Sequence, residues 1–328
     1  MRVVFFGSGE FGIPTLRYLA SEHDVALVVT QPDRPGGRGQ HLQPTSIRSM
    51  AAELGLSAVL ATANINAPDV AEQVLSLQPA VGIVAAFGQK IAQPLRDGIR
   101  GGCINLHASL LPRHRGAAPV HHAILCGDAE TGVTIFRLVE RMDAGPVLVQ
   151  RKTMINPEET TAELHDRLAG IAVDATRAAL ALYEQDACPR GTPQDDSQAT
   201  RAPKLSKADG MIDFNRPAAA VADHICAMWS WPGAGCRFIR DSGEGGQAAG
   251  EELTLVRARP AEIPAAAVDR PAPPGTIDSR MLVATVGGML EILEIKPAGG
   301  RIMAWRDFVN GRRVHAGDRL VGRGPTVV

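Results

Sequence analysis

The stretch "CINLHASLLPRHRGAAP", residues 103–119, holds the densest polar signal in the chain. Asn105 and His107 are two positions apart, so an extended backbone projects both side chains to one face while Ile104 and Leu106 enter the packing on the other. An amide donor and an imidazole donor thus converge on one point. Further along, "LVERMDAGPVL" carries Asp143 in a loop beside Gly145. A carboxylate brought to that point would hold His107 as imidazolium and accept a proton from an attacking group. The set Asn105, His107 and Asp143 contains no Ser or Cys nucleophile, which points to direct attack by the substrate itself. Taken singly, a turn-capping Asn105, a hydrogen-bonded core His107 and a solvated Asp143 fit equally well. Their common position at strand ends of one sheet favours a site.

A second motif competes for attention. "FFGSGEFGIP", residues 5–14, places Gly7, Gly9 and Gly12 in the dinucleotide-binding spacing between a strand and a helix. Such a site needs an acid at the end of the second strand to grip a ribose. Here that strand runs into "VTQPDRPGGRGQ", where Asp33 lies past Pro32 in a turn. The glycines are therefore read as shaping a strand-to-helix turn, and no NAD is expected.

The elements that must hold these residues follow from periodicity. Residues 3–6, 25–30, 58–60, 79–86 and 101–108 read as strands, and 13–20, 46–54, 69–77 and 118–127 as helices. Apolar runs alternating with helical patterns specify a parallel, doubly wound, Rossmann-like α/β sheet. Segments 132–138 and 145–155 add strands, and a long amphipathic stretch from Thr160 to Gln185 closes the first domain. Residues 188–206 lose periodicity and gather Pro, Gly, Asp, Ser and Thr, the composition of a linker. Beyond it a helix at 218–229 precedes short strands separated by Gly and Pro, the pattern of a small OB-like β-barrel. The expected domains are 1–187, a linker at 188–206, and 207–328. Residues 241–251 read as a flexible hairpin insertion.

Charge excludes some functions. The 328 residues carry 34 Lys+Arg against 35 Asp+Glu, so no whole-molecule positive field marks a nucleic-acid binder. Local excess remains, in Arg34 and Arg38 on the Gly/Pro loop, Lys204 in and Lys207 beside the linker, and Arg306 and Arg312 near the C-terminus. The five cysteines lack CxxC spacing and read as reduced, buried thiols. The adjacent His121 and His122 face different directions on a helix, and no metal is expected. Trp229 and Trp231 read as packing residues. No segment has membrane-spanning length or the pattern of a leader, so a cytoplasmic protein is expected, and a monomer, since no long apolar surface pattern stands out.

Residues 102–148, with Asn-x-His-x-Ser-Leu-Leu-Pro at 105–112 and Asp143 following, resemble the formyltransferase family that uses 10-formyltetrahydrofolate. The stretches "TQPDRPGGRGQHLQP" (30–44), "KLSKADGMIDF" (204–214) and "WSWPGAGCRF" (229–238) are similar to members whose acceptor is methionyl-tRNA. The resemblance spans the chain to about Ala298. It implies that Asn105, His107 and Asp143 are catalytic. It further implies that Ser109, Leu110, Leu111 and Pro112 line the folate site, and that residues 85–91, with Phe87, Gly88, Gln89 and Ile91, wall the pterin pocket largely through backbone. Loop 31–44 would approach the acceptor end of initiator methionyl-tRNA, with Arg38 in contact. Gly7-Ser8-Gly9-Glu10-Phe11 departs from the family's usual Gly-Thr-Pro-x-Phe, and that departure produces the dinucleotide look-alike. Other acceptors in the family include amino sugars attached to nucleotides, which leaves a second reading open.

Overall fold

A computed structural model describes residues 1–36, 41–241, 250–262 and 272–322. Arg38 and most of the 241–251 insertion lie outside the described residues. The chain divides into two compact units. One comprises Met1–Pro119, Glu130–Met154 and His165–Pro203, the other Val120–Ala129, Ile155–Leu164 and Lys204–Val328.

The first stretch of chain runs β1 (Arg2–Gly7), α1 (Ile13–Glu22), β2 (Asp24–Thr30), β3 (Arg34–Gly36), β4 (His41–Gln43), α2 (Ser46–Glu53), β5 (Val59–Ala61), α3 (Pro68–Ser76), β6 (Val81–Ala85), α4 (Gln93–Gly98) and β7 (Cys103–His107). It continues through β8 (Arg115–Gly116), α5 (Pro119–Leu125), β9 (Glu130–Arg137), β10 (Val147–Met154), α6 (Thr161–Gln185) and β11 (Arg201–Ala202). The seven-stranded sheet has the order β10-β9-β7-β6-β1-β2-β5. Strands β5, β2, β1, β6 and β7 are parallel, while β9 is antiparallel to both β7 and β10. All five residues of β6 are buried, as a central parallel strand covered on both faces requires. Phe6, Val29, Val84, Phe87, Ile91 and Leu95 belong to the core on one side of the sheet. Helices start where the chemistry favours it: Thr45 caps α2 by accepting from the Arg48 N–H, and α1 and α3 carry Pro in the first turn.

The second unit contains α7 (Ala218–Met228), β12 (Ala234–Ile239), β13 (Glu251–Pro260), β14 (Val283–Thr285), β15 (Gly288–Pro297), β16 (Met303–Ala304), α8 (Trp305–Arg312) and β17 (Arg319–Gly322). The antiparallel order is β14-β15-β13-β12-β17, with β16 on β15. Bridges from Thr276 to Arg319 and from Ile277 to Val283 bring the two edges almost together, giving a nearly closed barrel. Helix α7 packs on β13. The basic C-terminal segment is ordered through α8, whose Trp305 and Phe308 are buried and whose Phe308 meets Phe238 edge-on at 5.5 Å.

Candidate active site

The glycine loop after β1 is closed by the protein itself. The N–H groups of Ser8 and Gly9 both donate to the Ala86 carbonyl, at 3.3 and 3.2 Å, so the donors that would hold a pyrophosphate are already used. A Cβ on Gly7 would stand 2.6 Å from the Phe5 ring and 3.0 Å from the Ala85 oxygen, so this glycine serves strand packing. Asp33, the acid a dinucleotide site would need, is ion-paired with Arg48 at 2.7 Å. Chain order reverses between β1 and β6, and the carboxyl ends of β6 and β7 lie at the same edge of the sheet as this switch point.

There, Asn105 and His107 leave β7 on one face, as the period-2 reading requires, opposite Phe136 and Thr134 of β9. The half-buried Asn105 amide has no hydrogen-bond partner among the described residues. His107 is 5% exposed. Its Nε2 lies 2.9 Å from the His114 carbonyl, which can only accept, so Nε2 carries the proton and Nδ1 is turned to Asp143 Oδ2 at 3.8 Å. Burial lowers the His107 pKa, and this outweighs the raising effects of Asp143 and of the His114 carbonyl; His114 itself lowers it further. Burial thus opposes the imidazolium expected from the sequence, while Asp143, on the Nδ1 side of the ring, favours it. The expectation counts the carboxylate of Asp143 by itself, whereas a ring taken out of water loses charge unless the compensation is larger.

Asp143 is fixed from both ends. Its Oδ2 accepts the Gly116 N–H at 2.8 Å, and its own carbonyl, with that of Gly145, accepts from Gln194 Nε2 at 2.8 and 2.7 Å. Ala86, His114 and Asp143, with φ of 46°, 59° and 51°, all lie in the left-handed region although none is glycine. Such residues cost on the order of 1–3 kcal/mol each, and they concentrate where function requires a fixed geometry.

The residues implied to bind folate separate into two groups. Ser109 is buried and its hydroxyl donates to the Arg113 carbonyl at 2.7 Å; Leu111 is buried. Phe87 and Ile91 enter the core, and the Gln89 amide is spent on Ile65 N and Thr62 O. Exposed or half-buried are the backbone of Gly88 and the side chains of Leu110 and Pro112. Thr134 straps this loop, donating to Ser109 O and accepting from Leu111 N and Gln150 Nε2. The first group therefore shapes the wall, and the second is available to a ligand. Among the described residues no cluster of His, Cys, Asp and Glu could hold a metal ion.

Of the cationic candidates, Arg34 is exposed on β3 and donates to the Gln31 side chain, while Lys204, Lys207 and Arg306 are exposed. Arg312 makes a two-point ion pair with Glu251, at 2.7 and 2.9 Å. Sequence patterning missed Arg115, Thr134, Gln150, Gln194 and Thr200. Gln194 and Thr200 sit in the aperiodic 188–206 stretch, where no spacing marks them.

Two family models match, Formyl transferase over residues 1–180 and Formyl transferase, C-terminal domain, over 204–313. A methionyl-tRNA formyltransferase of Methylococcus capsulatus is 40% identical over 98% of this chain and 99% of its own length. The chain belongs to the methionyl-tRNA formyltransferase family. A Paracoccus denitrificans member of the same family is 39% identical over 95% of this chain and 97% of its own. Solved structures share the fold. HypX from Aquifex aeolicus in complex with tetrahydrofolic acid superposes with a TM-score of 0.58 at 18% identity, over 94% of this chain and 47% of HypX. The sugar 3N-formyl transferase WlaRD, in the presence of dTDP and 5-N-formyl-THF, gives 0.62 at 12% identity over 89% of this chain and 97% of WlaRD. As a member of the methionyl-tRNA formyltransferase family this chain is a formyltransferase, of a family that uses a formyl-tetrahydrofolate donor. Among its described residues no helix is long and apolar enough to cross a membrane.

Proposed function

We propose that this protein transfers the formyl group of 10-formyltetrahydrofolate to the free α-amino group of methionine on initiator methionyl-tRNA, as a cytoplasmic monomer serving translation initiation. The observation that carries the reading is the unpartnered Asn105 amide on the same strand face as the His107–Asp143 pair. The exposed backbone at Gly88 and the half-buried Leu110 and Pro112 fit a flat heteroaromatic donor, because they offer peptide groups and apolar surface without charge.

The donor supplies a formyl carbon open to attack by an amine. Asn105 donates a hydrogen bond to the formyl oxygen, and that bond strengthens as the carbon becomes tetrahedral and the oxygen gains charge. His107, neutral at rest, takes the proton of the attacking amine at Nδ1. Asp143, 3.8 Å away, stabilises the imidazolium so formed, while the His114 carbonyl keeps the ring from turning. His107 then returns the proton to the departing folate nitrogen as the carbon–nitrogen bond breaks, leaving N-formylmethionyl-tRNA and tetrahydrofolate. Asp143 thus assists proton transfer through the imidazole. Arg34, Arg38, Lys204, Lys207, Arg306 and Arg312 contribute phosphate contacts to the tRNA.

The test is incubation of the purified protein with 10-formyltetrahydrofolate and either methionyl-tRNA or a nucleotide-linked amino sugar. Formylmethionyl-tRNA is the expected product. Formylation of the sugar alone would overturn the assignment of acceptor.

A further inference from the structure

Three groups of the candidate site trace back to one short segment, 194–202. Thr200 Oγ1 accepts the His114 N–H at 2.8 Å and Thr200 O accepts the Arg115 N–H at 2.9 Å, which fixes the carbonyl that holds His107. Arg201 and Ala202 form β11 and pair with Arg115 and Gly116 of β8, which fixes the N–H that holds the Asp143 carboxylate. Gln194 reaches the other end of Asp143 through the carbonyls of Asp143 and Gly145. The amide has one orientation available. Its Oε1 accepts from Arg115 Nε and Nη2, at 3.1 and 2.6 Å, so Nε2 must face the two carbonyls. Arg115 is itself buried and anchored on Asp196 at 2.8 Å.

We infer that Gln194 is a positioning residue for formyl transfer, and that the segment 194–202 is a working part of the catalytic unit, holding Asp143 and His107 at their separation. The inference rests on the formyl-transfer reading for its kinetic consequence and on the geometry alone for its structural one. A left-handed Asp143 does not keep its place unaided, since the strain favours a relaxed turn. Two hydrogen bonds from a single clamped amide oppose that relaxation.

Gln194→Met keeps the side-chain volume and removes both donors without adding charge. Its kcat is expected to fall roughly tenfold to a hundredfold, the scale of an angstrom-sized misplacement of a reacting group, with KM for each substrate changed less than about twofold. The titration of the His107 ring, followed by NMR in the protein without substrate, should move further to acid. Asp143 and His114 are the charged or titratable groups acting on that ring, and the raising influence of Asp143 weakens when its turn loosens. Should Gln194→Met fail to fold, Gln194→Glu carries the same kinetic test, because its carboxylate keeps the pair with Arg115 but cannot donate to the two carbonyls. Unchanged kcat, a raised KM at constant kcat, or an unmoved His107 titration would each overturn the inference. If the unaltered protein transfers no formyl group, the functional reading fails, yet the His107 titration still decides whether Gln194 sets the geometry.

Discussion

At the scale of single residues, the proposed mechanism gives Asn105 and His107 different work although their spacing makes them look equivalent. Asn105 is a donor at all pH values, and its amide makes no internal bond that would have to break on substrate binding. Asn105→Ala is expected to lose on the order of 10²–10³ in kcat with folate binding retained, as single oxyanion donors do; folate titration alongside turnover checks both halves. In the proposed mechanism His107 acts in its neutral form, so its pH dependence has a definite sign. Burial holds its pKa below the ordinary histidine value of about 6.5. The rate of the chemical step should therefore rise with pH, first as His107 loses its proton at acid pH and then as the substrate's α-amino group, with a pKa of about 7.7–8.0, becomes free to attack. Single-turnover formylation measured across pH 5–8 would contradict this if the rate fell on moving from pH 6 to 8, the behaviour of a site that needs imidazolium at rest. The pair 105/107 was legible because side-chain alternation along a strand is purely local. The lowering of the His107 pKa was not, since it depends on how completely distant elements exclude water.

Elements fix where those side chains meet. Gly145 lets the turn after Asp143 lie against β9: a methyl there would overlap the Arg137 carbonyl oxygen, and Arg137 N donates to Pro146 O at 3.0 Å. Gly145→Ala should therefore cost about 1–3 kcal/mol, the range of overpacked sites, and reduce turnover by displacing Asp143. Gly170, inside α6, meets nothing within 4 Å, and Gly170→Ala should add about 0.5–1 kcal/mol of stability. Urea melts of the two variants, set against the unaltered protein, must shift in opposite directions. The strands β1, β2 and β6 could be read from the sequence because buried parallel strands carry apolar runs, and β7 because Ile104 and Leu106 alternate with Asn105 and His107. The antiparallel direction of β9 could not, because an apolar run carries no sign of which way it points. Strands β8 and β11, two residues each, are too short for any period, so the segment that clamps Asp143 reads as linker until its hydrogen bonds are known.

Over the whole molecule, a formal net charge of −1 hides unequal use of the cations. In the C-terminal unit Arg257 is shared between Glu163 and Glu294, Arg259 between Glu158 and Glu291, and Arg312 is held at two points by Glu251. Glu251 raises the Arg312 pKa in return, so this guanidinium is charged but already matched. Lys204, Lys207 and Arg306 are exposed and have no ion-pair partner among the described residues. A cation counts in tRNA binding to the extent that it displaces counterions from phosphate, and one whose charge is already neutralised displaces fewer. Binding of methionyl-tRNA should weaken linearly in log K against log salt. Neutralising Lys204, Lys207 or Arg306 should flatten that slope by about 0.7–0.9 for each phosphate that no longer meets a cation. Arg312→Gln should flatten it less than any of the three. Equal effects at all four positions would mean that Glu251 yields Arg312 to the phosphate, and that the ion pairs of the barrel do not decide which cations the tRNA meets.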